Sequence, residues 1–119
     1  MESISTIQKS NKLNIVRRGK DIGAGGAHHE YQILVLGRDG YTINLNFQHG
    51  GRGLDGSSTG IMNEDLLEIC RDRLKSFQAG DYACRENAIA LTHIEEALMW
   101  LDKRAQDRAE LKILGINKK

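Results

Sequence analysis

The chain has no proline in 119 residues and only two cysteines. Without proline, nothing forces a break in a long helix or removes a donor from a strand ladder, so hairpins and long helices are open to it. Two cysteines, Cys70 and Cys84, are too few for a disulfide scaffold, and the polar start MESISTIQKSNK carries no apolar block of a secretion signal. The expectation is reduced thiols in a cytoplasmic protein. No stretch nears the roughly 18 apolar residues of a membrane-spanning helix. Charge of one sign is also missing. The net charge is +1, which argues against non-specific binding to duplex nucleic acid. A small anionic ligand is still allowed, because it needs only two or three placed cations.

Catalytic and metal signatures are absent as well. There is no Ser-His-Asp order, no HExxH and no paired-carboxylate motif. His28 and His29 are adjacent, so in an extended loop they point to different sides, and no cysteine or carboxylate cluster accompanies them. No metal site and no cofactor are expected. GAGGA at 23–27 resembles part of a dinucleotide fingerprint but neither follows a buried strand nor opens a helix. Its amides could still cradle an anion.

What is present reads as an α+β fold, a small antiparallel sheet followed by a two-helix antiparallel hairpin. Charged residues at 28% and hydrophobic residues at 39% fit one globular domain. Residues 1–11 are polar and expected to fray. Residues 12–18 suit a short strand, and 19–29 form a glycine-rich loop. Tyr31, Ile33 and Val35 alternate with Gln32, Leu34 and Leu36. Asp39-Gly40 supplies turn chemistry, and Tyr41, Ile43, Leu45 and Phe47 then alternate with polar neighbours. The antiparallel part therefore spans 12–48. A second glycine-rich loop, 49–62, holds Arg52.

Residues 63–111 carry helical periodicity. Asn63 is placed to cap the first helix, Leu66, Cys70, Leu74 and Phe77 share one face, and Gly80 is placed to end it. The second helix is expected from about Tyr82 to about Leu111. Cys84, Asn87, Leu91, Ile94, Leu98, Leu101, Ala105 and Arg108 follow a 3-4 spacing along it. Ala90, Ala97, Trp100 and Arg104 form a second seam. One seam suffices to cover the first helix, so two predict burial against another subunit.

Phe77, Asn87, Arg104 and Arg108 stand out because a hairpin core does not need all of them. Each has a structural reading. Phe77 continues an apolar stripe, Asn87 can set helix register, and the arginines can be a solvated face paired with Asp107 or Glu110. Each also has a binding reading. Phe77 can stack on a base, Asn87 can read a base edge or ribose, and Arg104 with Arg108 can hold phosphate oxygens in bidentate forks. Asn87 and Arg108 lie 21 residues apart, ~32 Å along a helix. They can share a small ligand only if two hairpins pack antiparallel, tip to tail, as in a two-fold dimer.

The string LEICRDRLKSFQAGDYACRENAIALTHIEEALMWLDKRAQDR resembles the helical hairpin of two phage inhibitors of bacterial immunity, the anti-CBASS cyclic-nucleotide sponge and the Thoeris anti-defense sponge. The likeness covers roughly residues 61–110. The preceding strand region, ending YTINLNFQHG, fits the longer Thoeris form, in which a small sheet precedes the hairpin. The resemblance implies a protein that is not an enzyme. It would bind glycocyclic ADP-ribose and hold it intact in the host cytoplasm, blocking Thoeris anti-phage defence. It implies Phe77 stacking the adenine, Asn87 making polar contacts, Arg104 and Arg108 holding the diphosphate, and Arg52 closing over it, at a dimer interface. Members of the family also assemble as trimers of dimers, and some hold cyclic di- or trinucleotides at separate sites. His28, His29 and Arg38 are compositional candidates for those sites. An enzyme degrading a cyclic nucleotide and a helical adaptor binding a host protein are the competing functions.

Overall fold

The computed structural model describes residues 1–8, 14–49 and 58–113. The chain forms two compact units, residues 1–62 and 63–119. The first is a four-stranded antiparallel sheet in the order β1 (Glu2–Ser3), β2 (Asn14–Arg18), β3 (Glu30–Val35) and β4 (Tyr41–Asn46). The second is a hairpin of α1 (Asn63–Gln78) and α2 (Arg85–Ile113).

In the sheet, register sorts side chains by face, because residues opposite one another in an antiparallel pair point the same way. Val16, Ile33 and Ile43 form one row, flanked by the rows Asn14, Val35, Tyr41 and Arg18, Tyr31, Leu45. Tyr31 meets Phe47 edge-on at 5.5 Å. This is the apolar face expected from the alternation. The opposite face carries Arg17, Gln32 and Asn44, where the Gln32 amide donates to Asn44 Oδ1 at 2.9 Å.

Three local expectations differ from the structure. Residues 2–3 do not fray, because they pair with Arg17 and Arg18, and Ile4 donates its amide to the Val16 carbonyl at 3.0 Å. Arg18 Nε donates to Glu2 Oε1 at 2.9 Å. That partnership joins residues 16 apart, which local propensity cannot show. Positive φ falls at Gly25 and Gly26 among the described residues, so the turn at 36–40 does not use the left-handed form that Asp-Gly allows. Gly80 follows α1 as expected but is not left-handed either. Its amide bonds the Phe77 carbonyl at 3.2 Å, so the helix closes by tightening its last turn.

The second glycine-rich loop is partly ordered into the sheet. Ser58 pairs with His49, and Ile61 bridges Phe47 in parallel. Ile61 donates to Asn46 O at 2.9 Å and accepts from Gln48 N at 2.8 Å. Gly60 is needed at this crossing, since a Cβ there would overlap the Asn46 carbonyl oxygen. Lys12, Leu13 and Arg52 lie outside the described residues.

In the hairpin, Leu66, Leu74 and Phe77 of the expected α1 face are half-buried, together with Leu67 and Arg71, whereas Cys70 is exposed. An ion pair holds Arg71 there: its Nε donates to Glu95 Oε2 at 2.7 Å, and Glu68 lies 3.6 Å from its Nη1. The Glu95 hydrogen bond and charge raise the Arg71 pKa above its ordinary value. On α2, Asn87, Leu91, Ile94, Leu98 and Leu101 are half-buried and form the seam, while Cys84, Ala105 and Arg108 at its ends are exposed.

No hydrophobic side chain among the described residues is fully buried. Trp100 is 71% exposed, Met99 63% and Tyr41 60%. Large exposed apolar side chains thus occur in each of the two units.

The Arg18 hydrogen bond and charge hold the Glu2 carboxyl below the usual carboxylate range. A carboxyl depressed on folding stabilises at pH values above its unfolded pKa, and that contribution is lost as pH falls through the folded pKa. The Ile4 amide is therefore expected to exchange faster below about pH 4 than at neutrality, relative to Gly19. Hydrogen exchange followed by NMR checks this, and Glu2→Gln is expected to remove the difference.

Candidate functional site

The tip of the hairpin is built by side chains that satisfy the orphan amides of α2. Gln78 Oε1 accepts from Cys84 N at 3.0 Å, and Cys84 O accepts the first intrahelical bond, from Ala88 N at 3.1 Å. Cys84 Sγ accepts from Asn87 N at 3.5 Å. Cys84 is thus the N-cap of α2, with sulfur in the place usually taken by a hydroxyl or carboxylate oxygen. This is why α2 starts at Arg85 and not near Tyr82, and why the Cys84 thiol serves the helix end and not a core.

Asn87 and Phe77 meet at this tip. The Asn87 amide donates to the Tyr82 carbonyl at 3.3 Å. Phe77 contacts Tyr82 edge-on at 6.0 Å, and the Arg73 guanidinium carbon sits 5.3 Å from the Phe77 ring centre. Phe77 is half-buried and Tyr82 is 74% exposed. The tip therefore offers aromatic surface, a guanidinium and an amide within one turn. Sequence reasoning missed two of its members. Arg73 stands four residues before Phe77, the spacing at which helical side chains meet. Tyr82 lies two residues past Gly80, inside the loop, where periodicity has no reach.

Arg104 and Arg108 occupy the other end of α2. Both are exposed, and among the described residues neither is in an ion pair. Of the two expected partners, Asp107 is taken by Lys103 Nζ at 2.8 Å, and the side chain of Glu110 lies outside the described residues; Gln106 binds Asp102 at 2.8 Å. The result is two cations one turn apart on the same face. Within one chain the structure brings Phe77 and Asn87 together and Arg104 and Arg108 together. It keeps the two pairs apart, because α2 runs unbroken for 29 residues, and the 21 steps from Asn87 to Arg108 cover ~32 Å.

A groove of about 580 Å³ runs along the middle of the hairpin, lined by Glu64, Glu68, Arg71, Glu95, Met99 and Asp102 among others. Its carboxylates outnumber its one arginine, which itself is paired. Such a field repels a diphosphate, so this groove and the two end clusters serve different chemistry. In the sheet unit, the His29 and His49 rings stack at 4.5 Å and 14°. His28 lies on the preceding position, its Nδ1 buried without a partner among the described residues. Arg38 is exposed in the β3–β4 turn.

These features define a small α+β protein whose helical hairpin bears a polar-aromatic cluster at its tip and an exposed arginine pair near its end. Residues 43–106 match the family described as the Acb2/Tad1 hairpin domain, and the chain belongs to that family. Thoeris anti-defense 1 of Bacillus phage SBSphiJ7 is 40% identical over 97 residues, which are 82% of this chain and 66% of the phage protein. The chain thus spans slightly less than two thirds of that relative.

Oxygen is a better capping acceptor than sulfur and suits the positive end of the helix. Cys84→Ser or Cys84→Asp is expected to stabilise the fold by about 0.5–1 kcal/mol over Cys84→Ala. Urea unfolding followed by circular dichroism checks the ranking. Equal midpoints for the three variants would remove the capping role.

Proposed function

We propose that this protein is a non-catalytic sponge that sequesters glycocyclic ADP-ribose in the host cytoplasm and so blocks Thoeris anti-phage defence. The single observation that carries this is the division of α2. Near one end stand an aromatic ring of α1 and an amide, at the other two exposed guanidinium groups, and a rigid helix separates them by ~32 Å. A cyclic ADP-ribose has the complementary parts, an adenine and a diphosphate. Two copies packed antiparallel through their hairpins would bring the tip of one to the arginines of the other, twice. The exposed Trp100 and Met99 support burial of that helix face in a self-associated form, a dimer or a hexamer built from dimers. Membership in the Acb2/Tad1 hairpin family and the name of the phage relative support the anti-Thoeris reading.

In this reading Phe77 stacks the adenine and Asn87 contacts it through polar atoms. Arg104 and Arg108 grip the diphosphate, and Arg52 adds a third cation. Stacking on an aromatic ring contributes about 1–3 kcal/mol per base, and each charge-assisted hydrogen bond about 1.5–3 kcal/mol. The ligand leaves as it arrived, since the residues assigned to it bind and none is placed to break a bond. Cyclic di- and trinucleotides are further candidate ligands at separate sites.

Arg104→Ala combined with Arg108→Ala is expected to weaken binding of glycocyclic ADP-ribose on the order of a hundredfold, read by calorimetry. Survival of binding within about threefold would defeat the arginine assignment.

Ligand incubated with the protein and recovered after denaturation is expected to return with unchanged mass. A cleaved product would move the protein to the enzymes. Light scattering is expected to give at least a dimer. A strict monomer would favour the helical adaptor, docking a host protein through Met99 and Trp100.

A further inference from the structure

We propose that Tyr82 is a second aromatic wall of the base site at the hairpin tip, and that Asn87 acts on the ligand partly as the positioning residue of Tyr82. This assignment rests on the ligand reading given above and adds a contact which that reading does not contain.

The Phe77 ring has limited surface to offer. It is half-buried, and the Arg73 guanidinium lies over it, 5.3 Å from its centre. A cation at that distance is attracted to the ring, so one face of Phe77 already has an occupant. The Tyr82 ring is the next surface within reach. Its centre is 6.0 Å away and its plane is inclined by 68°, while 74% of the residue is exposed. A tyrosine recruited only to pack the tip would be covered. Two rings set this way form an open corner. A flat base lying on one of them turns its edge to the face of the other, an arrangement that aromatic groups favour. The Tyr82 hydroxyl adds a donor and an acceptor at the rim.

The ring also stands on a loop with little freedom. Gly80 N donates to Phe77 O at 3.2 Å, Ala83 N to Gly80 O at 3.4 Å, and Cys84 N to Gln78 Oε1 at 3.0 Å. Tyr82 itself is held by Asn87, whose Nδ2 donates to its carbonyl at 3.3 Å. Asn87 is fixed on α2 in turn, because its backbone amide donates to Cys84 Sγ at 3.5 Å. An exposed ring on a pinned backbone has little freedom left to lose when a ligand arrives. A side-chain amide carries two donor protons and an acceptor oxygen. One proton of Asn87 goes to Tyr82, which leaves the other and the oxygen for the base. One side chain can thus set the ring and touch the ligand.

The test uses the full chain with glycocyclic ADP-ribose as probe. Tyr82→Ala is expected to weaken binding about tenfold by calorimetry, and Tyr82→Phe to recover it to within about threefold. In a Tyr82→Ala background, Asn87→Ala is expected to cost a smaller factor than it does alone, because residues that act through one another are not additive. Of the three tyrosines, Tyr31 and Tyr41 belong to β3 and β4. Isotope-filtered NMR is therefore expected to show Overhauser contacts from the adenine protons to the Tyr82 ring and none to the Tyr31 ring. Unchanged affinity of Tyr82→Ala, no recovery by phenylalanine, equal factors for Asn87→Ala in both backgrounds, or no adenine–Tyr82 contact would each overturn the proposal. If the unsubstituted protein binds the probe and Tyr82→Ala binds it equally, the Tyr82 assignment alone fails. If the unsubstituted protein does not bind the probe, the ligand reading fails and the Tyr82 assignment with it.

Discussion

An α-helix advances about 1.5 Å per residue and cannot be shortened without breaking its hydrogen bonds. α2 runs without interruption from Arg85 to Ile113, and no proline or glycine lies within that range to bend it. This length is the constraint on which the site depends. It holds the tip cluster and the arginine pair apart as firmly as a covalent spacer would. Any small ligand that uses both must be held between copies.

A second consequence concerns packing. α1 has 16 residues and α2 has 29, so the shorter helix cannot cover the longer. Half-burial along Leu91, Ile94, Leu98 and Leu101 shows where the two meet. Ala90 and Ala97 are half-buried beside Trp100, which is not. Apolar surface of this kind is costly in water, at about 25 cal/mol per Å². The exposed Tyr41 and Ile43 of β4 add to that cost.

The elements were legible where periodicity was strong. Strands β3 and β4, both helices and the seam of α2 follow from alternation and from 3-4 spacing, and the hairpin pattern pointed to the family. Misreadings cluster where a polar side chain overrides hydrophobic counting. Arg71 takes an inward position on α1 because Glu95 faces it, while Cys70 on the expected face is exposed. Cys84 reads as a seam residue but serves as a cap, because Gln78 and Asn87 hold the tip open until Arg85. β1 was invisible because its partners are remote. Of the site residues, Phe77, Asn87, Arg104 and Arg108 were singled out because they exceed the needs of a core. Arg73, Tyr82 and the His29–His49 stack were not, since their contacts are ones that spacing alone does not encode.

By itself, the sequence determined the order of elements from β2 onward, the approximate length of α2 and hence the ~32 Å between its two clusters. Those are local properties, set by hydrogen-bonding period and by the absence of breaking residues. The tertiary structure decided which residues use that frame. It spent Asp107 on Lys103 and left Arg104 and Arg108 exposed. It set Phe77 against Tyr82 and Arg73, and laid His49 on His29 over Gly23. Each of these is a choice between partners at similar sequence distance or a meeting of remote segments, and only the folded chain selects among them.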